Sequence, residues 1–223
     1  MYALSTAQSH IGVPKCRPKQ SAAHILVVLG SGGHTAEMFS MLRRAKLDPS
    51  IYTFRTYVVS SGDHFSATKA AEFESDFMAA RPEDGSYDIV TVPRARRVHQ
   101  SYLTAPFSTL RCFWACLLVL LHPDQQRPCP DAILTNGPAT AVCVIMAAKL
   151  IRLFRCSSGF KASRPFQLRT IFVESWARVS MLSLSGKLLL PFVDRFLVQW
   201  PSLEGKQAWK GTRKTEYIGV LLE

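Results

Sequence analysis

The 223-residue sequence lacks an apolar run long enough to cross a bilayer, and it lacks the paired cysteines of a metal or redox site. The apolar run at 112–121 has ten residues, which correspond to about 15 Å of helix and half of a bilayer core. No Cys-x-x-Cys motif occurs, and Cys112, Cys116 and Cys143 lie within apolar helical patterns, where a thiol behaves as a small hydrophobic side chain. We therefore predict reduced cysteines in a cytosol-facing domain, with no metal site.

Residues 1–23 also lack a long apolar core, and they include two prolines and three basic residues between positions 14 and 19. This composition excludes a signal peptide and a spanning helix for this segment. The sequence has no internal repeats and no low-complexity segments. We predict a flexible tail at 1–23 and one domain at 24–223.

Acidic residues are scarce in the middle of the chain. Between positions 89 and 173 only Asp124 and Asp131 are acidic, whereas eleven residues are basic, so most of the formal net charge of +11 belongs to this stretch. Such a field favours an anionic partner, which can be a phospholipid surface, a phosphorylated ligand or a nucleic acid. No nucleic-acid-reading motif is recognisable, which argues against the last of these. A solvated basic face is the structural alternative.

From residue 24 onward, short β-rich apolar runs alternate with helical patterns. Several runs are nearly continuous in Val, Ile, Leu and Phe, as is typical of parallel strands buried on both faces. The predicted strands are 24–30, 55–60, 87–93, 130–136, 169–175 and 196–201, and the predicted helices are 33–45, 65–80, 102–121, 139–154 and 182–190. This alternation predicts an α/β fold with a single Rossmann-like, doubly wound parallel sheet.

A glycine-rich loop, GSGGHT at 30–35, follows the first strand and opens the first helix. Glycines let the backbone approach a ligand closely, and the N–H groups of a helix N-terminus bind anions. The loop is not a dinucleotide fingerprint, because Thr35 occupies the third glycine position, and no Gly-Lys-Ser/Thr follows as in a P-loop. We predict a diphosphate site that is not a nicotinamide site; a tight turn capped by Thr35 is the alternative. The predicted contacts are Ser31, Gly32, Gly33, His34 and Thr35.

His34 has two candidate roles, contact with a phosphate oxygen and catalytic proton transfer. We favour phosphate contact, because no carboxylate in the sequence obviously orients the ring. Packing or capping is the structural alternative.

Polar side chains also follow two later strands. Asn136 and Gly137 follow the fourth strand, where they form either a ligand-facing turn or only a capped turn. Glu174 and Ser175 end the fifth strand in an apolar context. Because a buried carboxylate needs a partner, Glu174 is expected to pair with a base such as Arg178 or to face a ligand hydroxyl.

The ten-residue apolar run lies downstream of three arginines and contains aromatic side chains. A basic collar beside an aromatic, apolar helix is typical of an interfacial membrane anchor. A helix buried between the sheet and a partner is the alternative. The predicted membrane contacts are Arg94, Arg96, Arg97, Phe113 and Trp114.

Five ordered motifs give the chain a specific resemblance to a known family over roughly residues 24–223. They are GSGGHT at 30–35 with Glu37 after it, SSGD at 60–63, TNGPAT at 135–140, VESWARV at 173–179, and DRF at 194–196 followed by WP at 200–201. The chain resembles the asparagine-linked glycosylation protein fourteen family. It is also similar to the N-terminal, acceptor-binding half of GT-B glycosyltransferases that use lipid acceptors.

The resemblance implies a non-catalytic, membrane-associated subunit of a UDP-N-acetylglucosamine transferase. Such a subunit recruits a catalytic partner that carries the UDP-N-acetylglucosamine site. It presents N-acetylglucosaminyl-diphospho-dolichol for the second step of dolichol-linked oligosaccharide synthesis, which serves protein N-glycosylation. The implied location is the cytosolic face of the endoplasmic reticulum membrane and the continuous nuclear membrane, with no cofactor and no tightly held metal.

The resemblance also places Asn136, Gly137, Glu174 and Ser175 in an acceptor-side cleft. Family members commonly begin with a spanning helix, which this sequence does not show. The apolar segment YIGVLL at 217–222 is a candidate docking strand or helix for the catalytic partner. The alternative function is a self-sufficient small nucleotide-sugar transferase or a nucleotide-binding oxidoreductase of Rossmann type.

Overall fold

A computed structural model describes residues 22–45, 47–48, 50–79, 85–96, 100, 103–121, 129–137, 139–157 and 168–221. Most of the predicted tail therefore lies outside the described residues. The strands are β1 His24–Val28, β2 Phe54–Ser60, β3 Ser86–Val92, β4 Ala132–Thr135, β5 Arg169–Val173, β6 Arg195–Val198 and β7 Glu216–Tyr217. The helices are α1 Gly33–Ala45, α2 His64–Ala79, α3 Ala105–Leu121, α4 Ala139–Ser157 and α5 Leu184–Leu189.

The seven strands form one sheet in the order β3-β2-β1-β4-β5-β6-β7, and every neighbouring pair is parallel. The predicted α/β class and parallel sheet are confirmed. All six predicted strands are present; β2 ends at Ser60 as predicted, and the other five end one to three residues earlier than predicted. The difference arises because the polar residues at the carboxyl ends leave the sheet to form loops.

Helices cover both faces of the sheet. On one face Val27 and Leu29 of the β1 region pack with Met38 and Phe39 of α1 and with Phe73 of α2. On the other face the strands pack against α3 and α4. The side chains of these helices that belong to this cluster are Cys112, Cys116, Leu120, Cys143, Val144, Ala147 and Ile151. Because both faces are covered, the central strands are apolar on both sides, and this arrangement explains their continuous apolar sequences.

The cysteines of α3 and α4 lie in the core, and their reduced state stays a prediction. Cys112, Cys116 and Cys143 are buried and unpaired, and the Cys112 and Cys116 sulfurs are 3.9 Å apart. Within the described part of the chain no helix has the length and apolar content needed to cross a membrane.

The C-terminal segment at 217–222 does not project as a free apolar end. Tyr217 belongs to the edge strand β7, and the Leu221 N–H donates a 3.0 Å hydrogen bond to Gln199 Oε1. Leu221 also packs against the apolar cluster beneath α1 and α2, whereas Tyr217 stays 41% exposed. The segment therefore completes the edge of the sheet. Its role in partner docking stays a prediction, and Leu222 lies outside the described residues.

Candidate functional site

The loops that follow β1 and β4 are in direct contact at the carboxyl edge of the sheet. These two strands are neighbours, and the chain moves outward from them in opposite directions, so they mark the switch point where open α/β sheets bind ligands. A Cβ added to Gly137 would lie 3.2 Å from the Gly30 Cα. Asn136 Nδ2 donates a 2.9 Å hydrogen bond to the His34 carbonyl. The fold thus brings the 30–35 loop and the 136–137 turn into one site.

The glycine loop presents its backbone to the open side of this edge. Ser31, Gly32 and Gly33 are exposed, and an added Cβ at either glycine would meet no atom within 4 Å. Gly32 has a φ of +63°, a left-handed conformation that favours glycine. Because α1 begins at Gly33, the N–H groups of Gly33 and His34 have no preceding helical turn to bond. Free N–H groups and the helix dipole together favour an anion at this position.

Thr35 stabilises the 30–35 loop from its buried side. Its side chain is fully buried, and its hydroxyl donates to the Gly30 carbonyl and lies 2.6 Å from Ser66 Oγ. Ser66 in turn donates to Asp63 Oδ2 at 2.7 Å, and the Thr35 N–H bonds the Gly32 carbonyl at 3.1 Å. Thr35 was predicted as a direct diphosphate contact. In the structure its side chain and its N–H instead form hydrogen bonds within the turn. These bonds fix the position of the exposed glycines.

Three buried side-chain atoms at this edge have no hydrogen-bond partner among the described residues. They are His34 Nδ1, Thr135 Oγ1 and Asn136 Oδ1. Asn136 is only 2% exposed, and its Nδ2 is already used by the His34 carbonyl. Leaving a buried polar atom unpaired costs about 1–3 kcal/mol, so its presence calls for a ligand or a water that completes the site. The unpaired atoms are polar groups at this edge that a bound ligand or a water would complete.

Glu37, one turn into α1, joins three parts of the chain at the same edge. Its Oε1 accepts hydrogen bonds from the Trp176 N–H at 2.6 Å and from Gln199 Nε2 at 2.8 Å, and its Oε2 accepts one from Ser175 Oγ at 3.0 Å. Burial by itself raises the pKa of Glu37, but His34, the Trp176 N–H, Gln199 and Ser175 together lower the pKa below its ordinary value. Glu37 is therefore an ionised carboxylate that ties α1 to the loops after β5 and β6.

The contact between His34 and Glu37 corrects the expectation that no carboxylate orients the histidine. His34 Nδ1 lies 3.8 Å from Glu37 Oε2, which is too long for a hydrogen bond but within ion-pair distance. Because Nδ1 is buried while 36% of the side chain is exposed, the exposed part of the ring faces away from Glu37. The spacing of three residues on one helix was the signal that would have predicted this contact. Nothing in the sequence predicted that Gln199 would reach Glu37.

Glu174 is held by serines and not by a hydrogen-bonded pair with Arg178, and its predicted contact with a ligand hydroxyl stays a prediction. Its Oε2 accepts hydrogen bonds from the Ser183 N–H at 3.0 Å and the Ser183 hydroxyl at 3.2 Å, and its Oε1 accepts a 3.3 Å bond from the Ser175 N–H. Burial raises the pKa of Glu174, and these bonds and the charge of Arg178 offset only part of that effect. Glu174 therefore anchors the start of α5, where Ser183 is the N-cap. Its role in an acceptor cleft stays a prediction.

The predicted membrane contacts divide into two groups. Trp114 is 59% exposed and Arg94 and Arg96 lie at the surface, as expected for membrane contacts. Phe113, in contrast, is half-buried and packs against the core cluster beneath α3, so its membrane contact stays a prediction. Neighbouring helical residues lie about 100° apart around the axis, so Trp114 and Phe113 point in different directions. Arg97 lies outside the described residues.

Part of the central basic charge is neutralised within the fold. Lys149 Nζ lies 3.0 Å from Asp194 Oδ1, and Arg152 Nη1 lies 2.5 Å from Asp194 Oδ2. Burial raises the pKa of Asp194, but Lys149, Arg152 and the Thr170 N–H lower it below its ordinary value. These two bases of α4 are paired within the fold, so they do not add to the positive surface that an anionic partner would contact.

Comparison with known proteins identifies the family of the chain. The family model described as "Oligosaccharide biosynthesis protein Alg14 like" matches residues 25–221. A protein of Aspergillus fumigatus named UDP-N-acetylglucosamine transferase subunit alg14 is 58% identical, over 83% of this chain and 100% of its own length. The proteins of the same name from Schizosaccharomyces pombe and Homo sapiens are 38% and 37% identical, over 98% and 92% of this chain and 91% and 85% of their own lengths.

The fold also matches a solved structure, that of MurG from Acinetobacter baumannii. The match has a TM-score of 0.51 at 11% sequence identity, and it covers 88% of this chain. This chain spans only 45% of the length of that protein. The likeness establishes the fold as the Rossmann-like N-terminal half of a GT-B protein.

Proposed function

Because the chain belongs to the Alg14 family of oligosaccharide biosynthesis proteins, we propose that it is the non-catalytic, membrane-associated subunit of a UDP-N-acetylglucosamine transferase. Its task is to hold the lipid-linked acceptor, and a separate polypeptide carries the nucleotide-sugar site. The observation that carries this proposal is the polar edge at the switch point, where exposed glycine N–H groups lie beside the buried, unpaired Asn136 Oδ1.

The proposed acceptor is N-acetylglucosaminyl-diphospho-dolichol. Its diphosphate binds at Ser31, Gly32 and Gly33, where the first N–H groups of α1 favour anions. His34 contacts the diphosphate with the exposed side of its ring, while Glu37 holds the opposite side. The sugar then lies towards Asn136, whose amide oxygen accepts a hydrogen bond from a sugar hydroxyl or acetamido N–H.

The proposed partner is a catalytic subunit with one nucleotide-binding domain. The names of the similar curated proteins support it, because they are called subunits of a UDP-N-acetylglucosamine transferase. In this proposal the complex acts at the cytosolic face of the endoplasmic reticulum membrane, in the second step of dolichol-linked oligosaccharide synthesis. The exposed apolar residues of α3 support the membrane contact.

Reconstitution tests the division of labour. The purified chain is assayed with UDP-N-acetylglucosamine and a lipid-diphosphate acceptor, first alone and then with the catalytic subunit. We expect transfer only in the second case. Turnover by the chain alone, or tight binding of UDP-sugar to it, would show that it is a self-sufficient transferase.

Substitution of His34 tests the acceptor site. One lost hydrogen bond to a charged group costs about 1.5–3 kcal/mol, so His34→Ala should lower kcat/KM for the acceptor by roughly 10- to 150-fold in the reconstituted complex. The KM for UDP-N-acetylglucosamine should not change. His64→Ala is the matched control, because His64 is an exposed histidine in the first turn of α2. A change in donor KM instead of acceptor efficiency would assign the loop to the other substrate.

Two glycine variants separate binding from folding in the same loop. Gly33→Ala adds a methyl group in open space beside the free N–H groups, on ordinary backbone, so it should weaken acceptor binding at normal thermal stability. Gly32→Ala forces a left-handed conformation and should also lower stability, by about 1–2 kcal/mol. If Gly33→Ala leaves the acceptor KM unchanged, the loop is only a turn.

A further inference from the structure

A cavity of about 670 Å³ opens between the end of β3 and the start of α3. Its lining includes Arg94 and Arg111, the exposed Thr91 and the aromatic ring of Phe107. The lining contains no residue of the 30–35 loop, so this cavity is separate from the proposed diphosphate site. Its volume is within the range of small-molecule sites.

The polar side of the cavity is cationic, and the described lining residues include no acidic side chain. Neither Arg94 nor Arg111 makes a side-chain hydrogen bond or ion pair with another described residue. Ser61 Oγ accepts a 3.2 Å hydrogen bond from the Arg94 N–H, which fixes the backbone of Arg94 at the rim. Lys149 and Arg152, in contrast, both form ion pairs with Asp194. Two unpaired guanidinium groups over one cavity suit a phosphate group, which arginine binds through paired N–H donors.

The other side of the cavity continues into an exposed apolar face of α3. Phe107 is 77% exposed, and it lies on one face of the helix with other exposed apolar side chains. The opposite face of the same helix packs into the core through Cys112, Cys116 and Leu120. The remaining members of the exposed face are Leu110, Trp114, Leu118 and Leu121, and the exposed Leu103 lies in the turn before the helix. Their spacing of three and four residues keeps them in one continuous stripe.

We propose that this cavity binds the phosphate headgroup of an anionic phospholipid, with the acyl chains lying along the exposed stripe of α3. A cationic cavity joined to an apolar stripe fits an amphipathic anion, and a bilayer supplies such molecules at high local concentration. The proposal rests on the membrane association proposed above and adds a defined headgroup site to it.

Vesicle binding by the purified full-length chain tests the proposal. Sedimentation with vesicles of phosphatidylcholine alone is compared with vesicles that also contain phosphatidylserine. The double variant Arg94→Gln/Arg111→Gln should bind the anionic vesicles roughly 30-fold more weakly, which corresponds to about 1 kcal/mol per arginine at an anionic surface. The control Arg44→Gln/Lys210→Gln removes the same charge from two other exposed positions and should have a much smaller effect.

A third variant distinguishes a cavity from a merely charged surface. Thr91→Phe leaves every charge in place and fills the cavity from the exposed side of β3, so it should also weaken binding to anionic vesicles. Thermal unfolding of each variant excludes loss of fold. If Thr91→Phe binds like the wild type and the two double variants lose affinity equally, the arginines act only as diffuse charge and the proposal is wrong.

Two further results would overturn the assignment to a membrane phospholipid. Displacement of the chain from anionic vesicles by millimolar inorganic phosphate at constant ionic strength would identify a free-phosphate site. A raised acceptor KM of the double variant in detergent, with vesicle binding unaltered, would assign the cavity to the lipid-linked acceptor. If the wild type binds neither kind of vesicle, the membrane association in the proposed function fails as well. If the wild type binds the vesicles and the cavity variants bind them as well as the control variant does, only the proposed headgroup site is wrong.

Discussion

Two buried carboxylates, Glu74 under the sheet and Glu37 at its carboxyl edge, are held in different ways. Glu74 is fully buried and pairs with Arg55 through two hydrogen bonds of 2.7 and 2.9 Å, and its Oε1 also accepts a 2.7 Å bond from the Tyr57 hydroxyl. Arg55 uses a third nitrogen to donate to the Tyr52 carbonyl at 2.7 Å. Every charge in this cluster is paired inside the protein.

The Glu37 cluster is open on one side. Its carboxylate accepts three hydrogen bonds from the protein, and its neighbour His34 turns Nδ1 towards Glu37 and keeps a partly exposed ring. Asn136, which donates to the His34 carbonyl, has an amide oxygen with no hydrogen-bond partner among the described residues. The Glu74 cluster joins α2 to the amino end of β2, whereas the Glu37 cluster joins loops at the carboxyl edge of the sheet, at the switch point. The comparison indicates that a complete polar network stabilises a fold, whereas an incomplete one at a strand end leaves atoms available for a ligand.

The largest expected effect comes from breaking the closed cluster. Glu74→Gln leaves Arg55 buried without a counter-charge, so it should lower the free energy of unfolding by about 3–5 kcal/mol, measured by urea denaturation. The control Glu72→Gln, on the exposed side of the same helix, should change stability by less than about 0.5 kcal/mol. In the folded fraction of Glu74→Gln the acceptor KM should stay normal. A raised KM would mean that the two clusters are not independent.

Breaking the open cluster should affect both stability and function. Glu37→Gln replaces an acceptor oxygen by an NH₂ group that faces donors, which should cost about 1–3 kcal/mol of unfolding free energy. It should also raise the acceptor KM in the reconstituted complex, because the 175–176 loop and His34 lose their common anchor. Ser175→Ala removes only one of the donors and should cost about 1 kcal/mol or less. If Glu37→Gln loses stability but keeps the wild-type acceptor KM, the role of Glu37 is structural only.

The smallest expected effect is a pH dependence of opposite sign for two carboxylates at this edge. The pKa of Glu37 is lowered in the fold, so its stabilising contribution is present above the unfolded value of about 4.3 and is lost as the pH falls through the folded pKa. The pKa of Glu174 is raised, so its contribution is greatest below about pH 4.3 and is lost as the pH rises through the folded pKa.

Urea denaturation of the wild type, Glu37→Gln and Glu174→Gln between pH 3 and 7 measures these contributions. For Glu37→Gln, the loss of unfolding free energy relative to the wild type should become smaller towards acid pH. For Glu174→Gln, the unfolding free energy relative to the wild type should increase towards neutral pH. Parallel pH profiles for the two variants would contradict the assigned directions.

Sequence patterns predicted the strands more completely than the contacts at their ends. Runs such as residues 24–30 are apolar on both faces, and only strands covered by helices on both sides bury such runs, so the parallel sheet followed from composition. The glycine loop was also predictable, because glycines between a strand and a helix have a local geometric meaning. The short strand β7 was not predicted as such, since two residues, Glu216 and Tyr217, carry no periodic signal.

The distribution of charges and exposed apolar side chains was predicted less well. The basic stretch at 89–173 was read as one field, but Asp194, outside the stretch, neutralises two of its members. Phe113 was grouped with Trp114 as a membrane contact, but it is half-buried against the core cluster, whereas Trp114 is exposed. Both differences have the same origin. A uniformly apolar helix does not indicate which face meets the sheet, and a charge pair between residues about forty positions apart leaves no local pattern.

The sequence by itself determined the α/β class, the order of elements and the loop at 30–35, because these depend on the apolar periodicity and the backbone preferences of neighbouring residues. Only the tertiary structure decided that Asn136 reaches the His34 carbonyl, that Gln199 reaches Glu37, and that Arg94 and Arg111 share a cavity. These contacts depend on the sheet order, which places β1 beside β4 and the end of β3 beside α3. Strand order is set by packing the whole chain into one sheet, so residues more than 100 positions apart meet at distances that no local pattern records.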